Sequence, residues 1–152
     1  MDTAVKPQGC TNFKLRQLTR RVTQHYDLEV GKSGLRTTQY SLLSHVAKLG
    51  PLRPVDLAAA MKMDASTLTR NLRPLMVAGL LVQQAGPDAR SRLVSITAEG
   101  REKRQQAQRH WRQAQESLNA ALGTERVIAL HALIDDCMLR LAPGAEEGEG
   151  DE

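Results

Sequence analysis

Residues 54–97 read PVDLAAAMKMDASTLTRNLRPLMVAGLLVQQAGPDARSRLVSIT, and the fold turns on how this stretch is parsed. Pro54 suits a first helical position, because its missing N–H is one that a helix start leaves unpaired anyway. Val55–Met61, rich in alanine, then forms a short helix. Lys62-Met63-Asp64 is a tight turn, with Asp64 placed to cap the next helix by accepting from backbone N–H groups. That second helix runs from Ala65 to about Ala78, with Leu68, Leu72 and Leu75 as its inner stripe and Gly79 closing it. Pro74 removes the hydrogen bond to the Arg70 carbonyl, which predicts a bend. From Leu81 the period changes to two. Leu81–Ala85 and Leu93–Thr97 read as strands, with Val94 and Ile96 alternating against Ser95, joined by the turn-forming, basic loop Gly86–Arg92. A lone hairpin is marginal, so this one must lean on the preceding helices.

A short helix, a tight turn and a second helix make a helix-turn-helix signature. On the second helix the leucines keep to one face, while Ser66, Thr69, Arg70 and Arg73 hold the other, flanked by Thr67 and Asn71. Hydroxyls, an amide and arginines are the groups that hydrogen-bond base edges and phosphates in a major groove. The hairpin loop adds Arg90 and Arg92, suited to the adjacent minor groove or to the backbone. The plainer reading is a solvated polar face and turn, and it leaves the agreement of helix pair and hairpin unexplained.

Outward from this centre the chain is helical. Phe13–Val30 shows Leu15, Leu18, Val22 and Tyr26 at spacings of three and four, one helical face, with Lys14, Arg16, Arg20 and Arg21 elsewhere. Gly31-Lys-Ser-Gly34 ends that helix. It is no phosphate-binding loop, because Tyr26 stands where the first glycine would be needed. Thr37–Leu49 forms a second helix on Leu42, Leu43, Val46 and Leu49, stopped by Gly50-Pro51. After the hairpin, Thr97 can cap a helix over 98–122, about 37 Å long at 1.5 Å per residue. Its inward positions are Ala107, Trp111, Ala114, Leu118 and Ala121. Gly123-Thr124 breaks and recaps the chain, and 125–141 carries Val127, Leu130, Ile134, Cys137 and Leu141 on one stripe. Heptad-like spacing on both helices, and a length that overhangs the body, predict dimerisation through the chain ends, with Cys137 buried.

Composition bounds the alternatives. At 152 residues, 41% hydrophobic and 25% charged, the chain reads as one globular domain. Its longest strongly apolar run, Val77–Val82, falls far short of the ~20 residues a membrane span needs. MDTAVKPQG has no apolar core, so no secretory signal is expected. Two distant cysteines, Cys10 and Cys137, suit a reducing cytoplasm rather than a disulfide framework. Residues 143–152 hold five acids and no base, leaving 21 bases against 12 acids in residues 1–142, a net +9. A body this basic suits a phosphate backbone. The four aromatics, Phe13, Tyr26, Tyr40 and Trp111, are too few to stack single-stranded bases. His25, His45, His110 and His131 fall on four different helices, no metal-ligand or nucleophile motif occurs, and Asp135-Asp136 cannot share a helix face. No catalytic residues, metal ligands or cofactor are expected.

Asp64-Ala-Ser-Thr-Leu-Thr-Arg-Asn-Leu-Arg-Pro-Leu75, then Gly79-Leu80-Leu81-Val82, then Asp88-Ala-Arg90 and Leu93-Val-Ser-Ile-Thr97, resembles the MarR family of winged-helix regulators over about residues 12–141. The resemblance implies a mainly α fold with a small β-hairpin wing, α+β in class. It divides the chain into a flexible segment 1–11, a single domain 12–142 and a disordered acidic tail 143–152. Within that domain the winged helix-turn-helix spans 37–97, and dimerisation helices occupy 12–30 and 98–141. A homodimer on palindromic double-stranded DNA is implied, with Asp88 orienting an arginine and Arg90 in the minor groove. Members of the family are typically repressors released by small phenolic or other aromatic ligands, or by oxidants. The implied effector cleft lies where the first, second and fifth helices meet the reader, and Arg21, Tyr26, Tyr40 and His45 are its candidate lining. One subgroup senses organic hydroperoxides through a cysteine near the start of the first helix. Cys10 lies close to that position and Thr38-Gln39-Tyr40 resembles the partnering segment, although Thr37 stands where a second tyrosine would be. The rival readings are a ligand-independent architectural DNA-binding protein and a helical protein-interaction module.

Overall fold

In the computed structural model, residues 5–88 and 90–143 are described. The chain forms α1 (Thr11–Val30), a single 3-10 turn (Gly31–Ser33), α2 (Thr37–Leu49), α3 (Pro54–Met61), α4 (Ala65–Val77), β1 (Leu81–Ala85), β2 (Arg92–Ile96), α5 (Ala98–Leu122) and α6 (Thr124–Arg140). It divides into two units, Met1–Ala114 and Gln115–Glu152. The strongly acidic stretch of the tail, 144–152, lies outside the described residues, as do residues 1–4.

The first unit is organised by one apolar cluster. Leu42, Leu43 and Val46 of α2, Leu57 of α3, Leu68, Leu72 and Leu75 of α4, Leu81 of β1 and Val94 of β2 are all buried in it, with Ala107 of α5. Each supplies the apolar face of its own element, so the helical and strand periods converge on a single core. Two loops fix how the helices enter. Gly34 takes a left-handed φ of 86°, and beyond it the Asp27 carboxylate of α1 accepts from both the backbone N–H and the hydroxyl of Thr37, at 2.9 and 2.7 Å. The start of α2 is therefore capped by a side chain ten residues upstream. Between α3 and α4, Lys62 sits at φ 53° and the Met63 N–H donates to the Ala58 carbonyl at 2.9 Å, closing the turn.

Asp64 caps α4, its Oδ1 accepting from the Thr67 N–H at 2.8 Å. That backbone hydrogen bond, followed by those from the Ser66 and Thr67 side chains, holds the Asp64 carboxyl below its ordinary value. The cap is complete above the usual carboxylate range and is lost as pH falls through the lowered value. Pro74 lies in the last turn of α4, which runs on to Val77.

β1 and β2 pair antiparallel, from Leu81 opposite Ile96 to Ala85 opposite Arg92. Leu52, in the link before α3, bridges Val94 through hydrogen bonds of 2.8 and 3.2 Å, so the hairpin gains a third edge. The second strand thus spans 92–96 rather than 93–97. Thr97 serves the next helix instead: its hydroxyl donates to the Gly79 carbonyl at 2.7 Å and accepts from the Gly100 N–H at 3.0 Å. Gly100 is buried where α5 passes over the hairpin base. A Cβ there would drive into the Leu80 carbonyl and the Ile96 side chain. Gly100→Ala is therefore expected to cost about 1–3 kcal/mol of stability, read as a lower urea midpoint. An unchanged midpoint would mean that this contact is not pinned.

In the second unit α6 buries none of its residues within this chain. Gly123, at φ 87°, occupies the cap position, and Thr124 is already helical, so Thr124 does not recap the chain. Cys137, expected to be buried, is exposed. On its stripe Val127 and Leu130 are half-buried, while Ile134, Cys137 and Leu141 are exposed.

Candidate nucleic-acid interface

The three buried leucines of α4 set the rotation of that helix and so decide what its other face presents. Ser66, Thr69, Arg70 and Arg73 are exposed, and Thr67 and Asn71 are half-buried at its edge. The Ser66 hydroxyl donates to Asp64 Oδ1 at 2.8 Å, and that of Thr69 donates to the Ala65 carbonyl at 2.9 Å. Both hydroxyl protons are thus engaged within the helix, which leaves oxygen lone pairs facing outward. The strong outward donors are Arg70, Arg73 and the Asn71 amide.

Arg70, Asn71 and Pro74 form one wall of a concavity of about 380 Å³, with Arg36, Thr38 and Gln39 at the start of α2 as the other. Sequence reading did not place Arg36, Thr38 or Gln39 here. The available signal was a basic residue at a helix start, a position that favours phosphate. On the wing, Asp88, Arg90 and Arg92 are all exposed. The loop is closed by Gly86 N–H donating to the Ser91 carbonyl at 2.8 Å and Ser91 N–H donating to the Asp88 carbonyl at 3.1 Å. A second concavity, about 540 Å³, joins Asp88, Arg90, Ser91 and Arg92 to Gln83, Arg53 and the start of α3. Arg53 donates to both oxygens of Asp56, at 3.0 and 3.3 Å, and these bonds hold its guanidinium firmly charged. Arg53 is a further cation beside the wing that sequence reading missed.

The candidate ligand residues lie on α1 and α2. Tyr40 is buried in the core with its ring 6.1 Å from that of Trp111. Tyr26 is half-buried and edge-on to His25, and burial pushes its hydroxyl above the ordinary tyrosine value. Arg21 is exposed on α1. His45 alone of the four lines the concavity between α2 and α5. Cys10 is exposed at the cap position of α1 and lines the end of a shallow concavity that runs along the helix to Arg20. Among the described residues no group of three or more His, Cys, Asp or Glu is placed to hold a metal ion. None of the described helices is long and apolar enough to cross a membrane.

A helix-turn-helix whose second helix presents arginines and an amide, followed by an arginine-bearing hairpin, defines a winged-helix DNA-binding protein. The MarR family profile matches residues 33–91. The HTH-type transcriptional regulator YxaD of Bacillus subtilis is 30% identical over 97 residues, covering 63% of this chain and 68% of its own. Among solved structures, the Mycobacterium tuberculosis transcriptional regulator MosR in complex with DNA is 34% identical. It has a TM-score of 0.68 and covers 85% of this chain and 98% of its own. A probable transcriptional regulator from Pseudomonas aeruginosa is 27% identical, with a TM-score of 0.76, over 84% and 96% of the two chains. This chain belongs to the MarR family and is a DNA-binding transcriptional regulator. Regulators of this family act by binding DNA rather than by catalysis.

Proposed function

We propose that the chain is a cytoplasmic homodimeric repressor that binds a palindromic operator and leaves it when a small ligand binds. The observation that carries the DNA half of this reading is the exposed face of α4, with Ser66, Thr69, Arg70 and Arg73 opposite a fully buried leucine stripe. In this reading α4 enters the major groove, where Arg70 and Asn71 read base edges. Arg36 and Thr38 meet the flanking phosphates. Asp88, Arg90 and Arg92 place the wing on the adjacent minor groove. The domain division follows: a reader over 37–97, and helices 12–30 and 98–141 for dimerisation. Support for the dimer is the apolar surface left open there, Phe13, Leu15 and Leu18 on α1 and Ile134 and Met138 on α6, with Leu141 at its end. Open apolar faces of this extent mark interaction surfaces.

Arg90→Ala tests the wing. Removing one cation from the interface should lower operator affinity and flatten the plot of log K against log salt by about one unit per subunit. A slope equal to that of the parent protein would take the wing off the DNA.

Release requires that the ligand prefer a spacing of the two readers that does not fit the operator. By linkage, operator must then weaken ligand binding by the factor with which ligand weakens operator binding. Ligand titrations with and without operator read that factor directly, and equal affinities would remove the release mechanism. A second reading is favoured by one observation: Cys10 is exposed at the start of α1, where an oxidant can reach it. In that reading peroxide, rather than a ligand, releases the operator, and Cys10→Ser abolishes the response.

A further inference from the structure

The concavity between α2 and α5 has a volume of about 410 Å³ and is lined by Ser44, His45, Ala47, Lys48, Arg101 and Arg104. Its lining holds three cations and no carboxylate, and the one ring in it is the His45 imidazole. Among the described residues the ion pairs are Lys32–Glu29, Arg53–Asp56 and Arg140–Asp136, so none neutralises this cluster. Arg101 and Arg104 stand three apart on α5 and share one helix face, where like charges repel. Lys48 adds a third charge from the facing helix.

Two contacts organise the wall. Arg104 Nε donates to Ser44 Oγ at 3.1 Å, which fixes the half-buried guanidinium and leaves its terminal nitrogens as donors. His45 Nδ1 lies 2.7 Å from the Ser41 carbonyl oxygen, so Nδ1 carries the hydrogen and Nε2 in that tautomer is an acceptor, which leaves Lys48, Arg101 and Arg104 as the donors to an anion. Guanidinium forks match the paired oxygens of carboxylate and phosphate groups, and an anion bearing two or more charges offsets the repulsion that the empty cluster carries.

We infer that this cleft binds a small, multiply charged anion, a phosphate ester or a polycarboxylate, and that such an anion is the effector. The regulatory part rests on the release reading above; the binding part does not. An aromatic monoanion suits the cleft poorly, because the one ring in its lining is the polar imidazole of His45, while Tyr40 of α2 is packed on Trp111 in the core. DNA phosphate is the lesser occupant, since the cleft is lined by α2 and α5 alone and by no residue of α4 or the wing.

The test is calorimetric titration of the full chain, at constant ionic strength, with inorganic phosphate, citrate and benzoate. Saturable binding of phosphate or citrate, with none of benzoate, is expected. Phosphate alone would assign a phosphate ester, citrate alone a polycarboxylate. Lys48→Gln and Arg101→Gln change exposed side chains and should each weaken anion binding about tenfold, the loss of one charge-assisted hydrogen bond, without lowering the unfolding midpoint of the ligand-free protein. Benzoate binding in preference to both anions, or undiminished affinity in both variants, overturns the assignment. So does weaker operator binding by either variant in the absence of anion, which would make these residues DNA contacts. Operator binding measured in parallel separates the two layers. Normal operator affinity without anion binding defeats this inference alone, whereas loss of operator binding by the parent protein defeats the regulator reading.

Discussion

Ending the chain at Gly123 is expected to abolish tight operator binding, with a loss on the order of 10²–10⁴-fold, the gain that joining two half-site readers supplies. The expectation starts from α6, which has no fully buried residue within its own chain yet carries Ile134 and Met138 at its surface, with Leu141 at its end. Those side chains stay in water unless a second copy covers them, at roughly 25 cal/mol per Å² of apolar area left exposed. A palindromic operator needs both readers at once, so a monomer holds only one half-site. Removal of α6 should leave a monomer or an aggregate. Ile134→Glu probes the same surface in the full chain: Ile134 is 45% exposed, so a lone chain tolerates the charge while a packed dimer does not. Sedimentation alongside operator titration checks both variants. A truncated chain that remains a soluble dimer with full affinity would contradict the assignment of the terminal helices.

Arg70→Ala is the second large effect. Arg70 is exposed on α4, beside the half-buried Asn71 and across a concavity from Arg36 and Thr38. Arginine is the side chain that pairs two donors with the two acceptors of a guanine edge. Its loss should cost about 1–3 kcal/mol, or roughly 5–150-fold in affinity. The operator should also become more tolerant of substitution at a single base pair in each half-site. Because Leu68, Leu72 and Leu75 hold the helix from behind, the variant should keep the unfolding midpoint of the parent protein. Parent affinity together with parent selectivity in the variant would remove α4 from the major groove.

What the chain order showed in advance was local. The bounds of α2 and of β1 follow from period and stop residues, and the Asp64 cap from residue type three positions before Thr67. Thr97 was legible as a cap, though not as the donor that ties α5 to the Gly79 carbonyl. What escaped was nonlocal. Asp27 capping Thr37, Leu52 bridging Val94, and Arg36 facing Arg70 each join residues whose separation carries no periodic signal. Tyr40 reads equally well as a ligand aromatic or as core, and its place in the core against Trp111 carries no periodic signal that separates the two. Thr124 misled because threonine is a good cap by type, whereas here Gly123 alone takes the conformation that starts α6. The stripe that suggested burial of Cys137 is present, but only Val127 and Leu130 on it are half-buried, and Cys137 itself is exposed.

The most direct test of sequence-specific DNA binding is fluorescence anisotropy of the full chain on labelled DNA from upstream of its own coding sequence. A duplex of the same length and composition in shuffled order serves as the comparison, and both are titrated across a salt series. A specific regulator should prefer the upstream duplex by about 10³-fold or more, and affinity for both duplexes should fall steeply as salt rises. Equal affinity for the two duplexes at every salt concentration would contradict it, leaving only a basic surface attracted to any phosphate backbone.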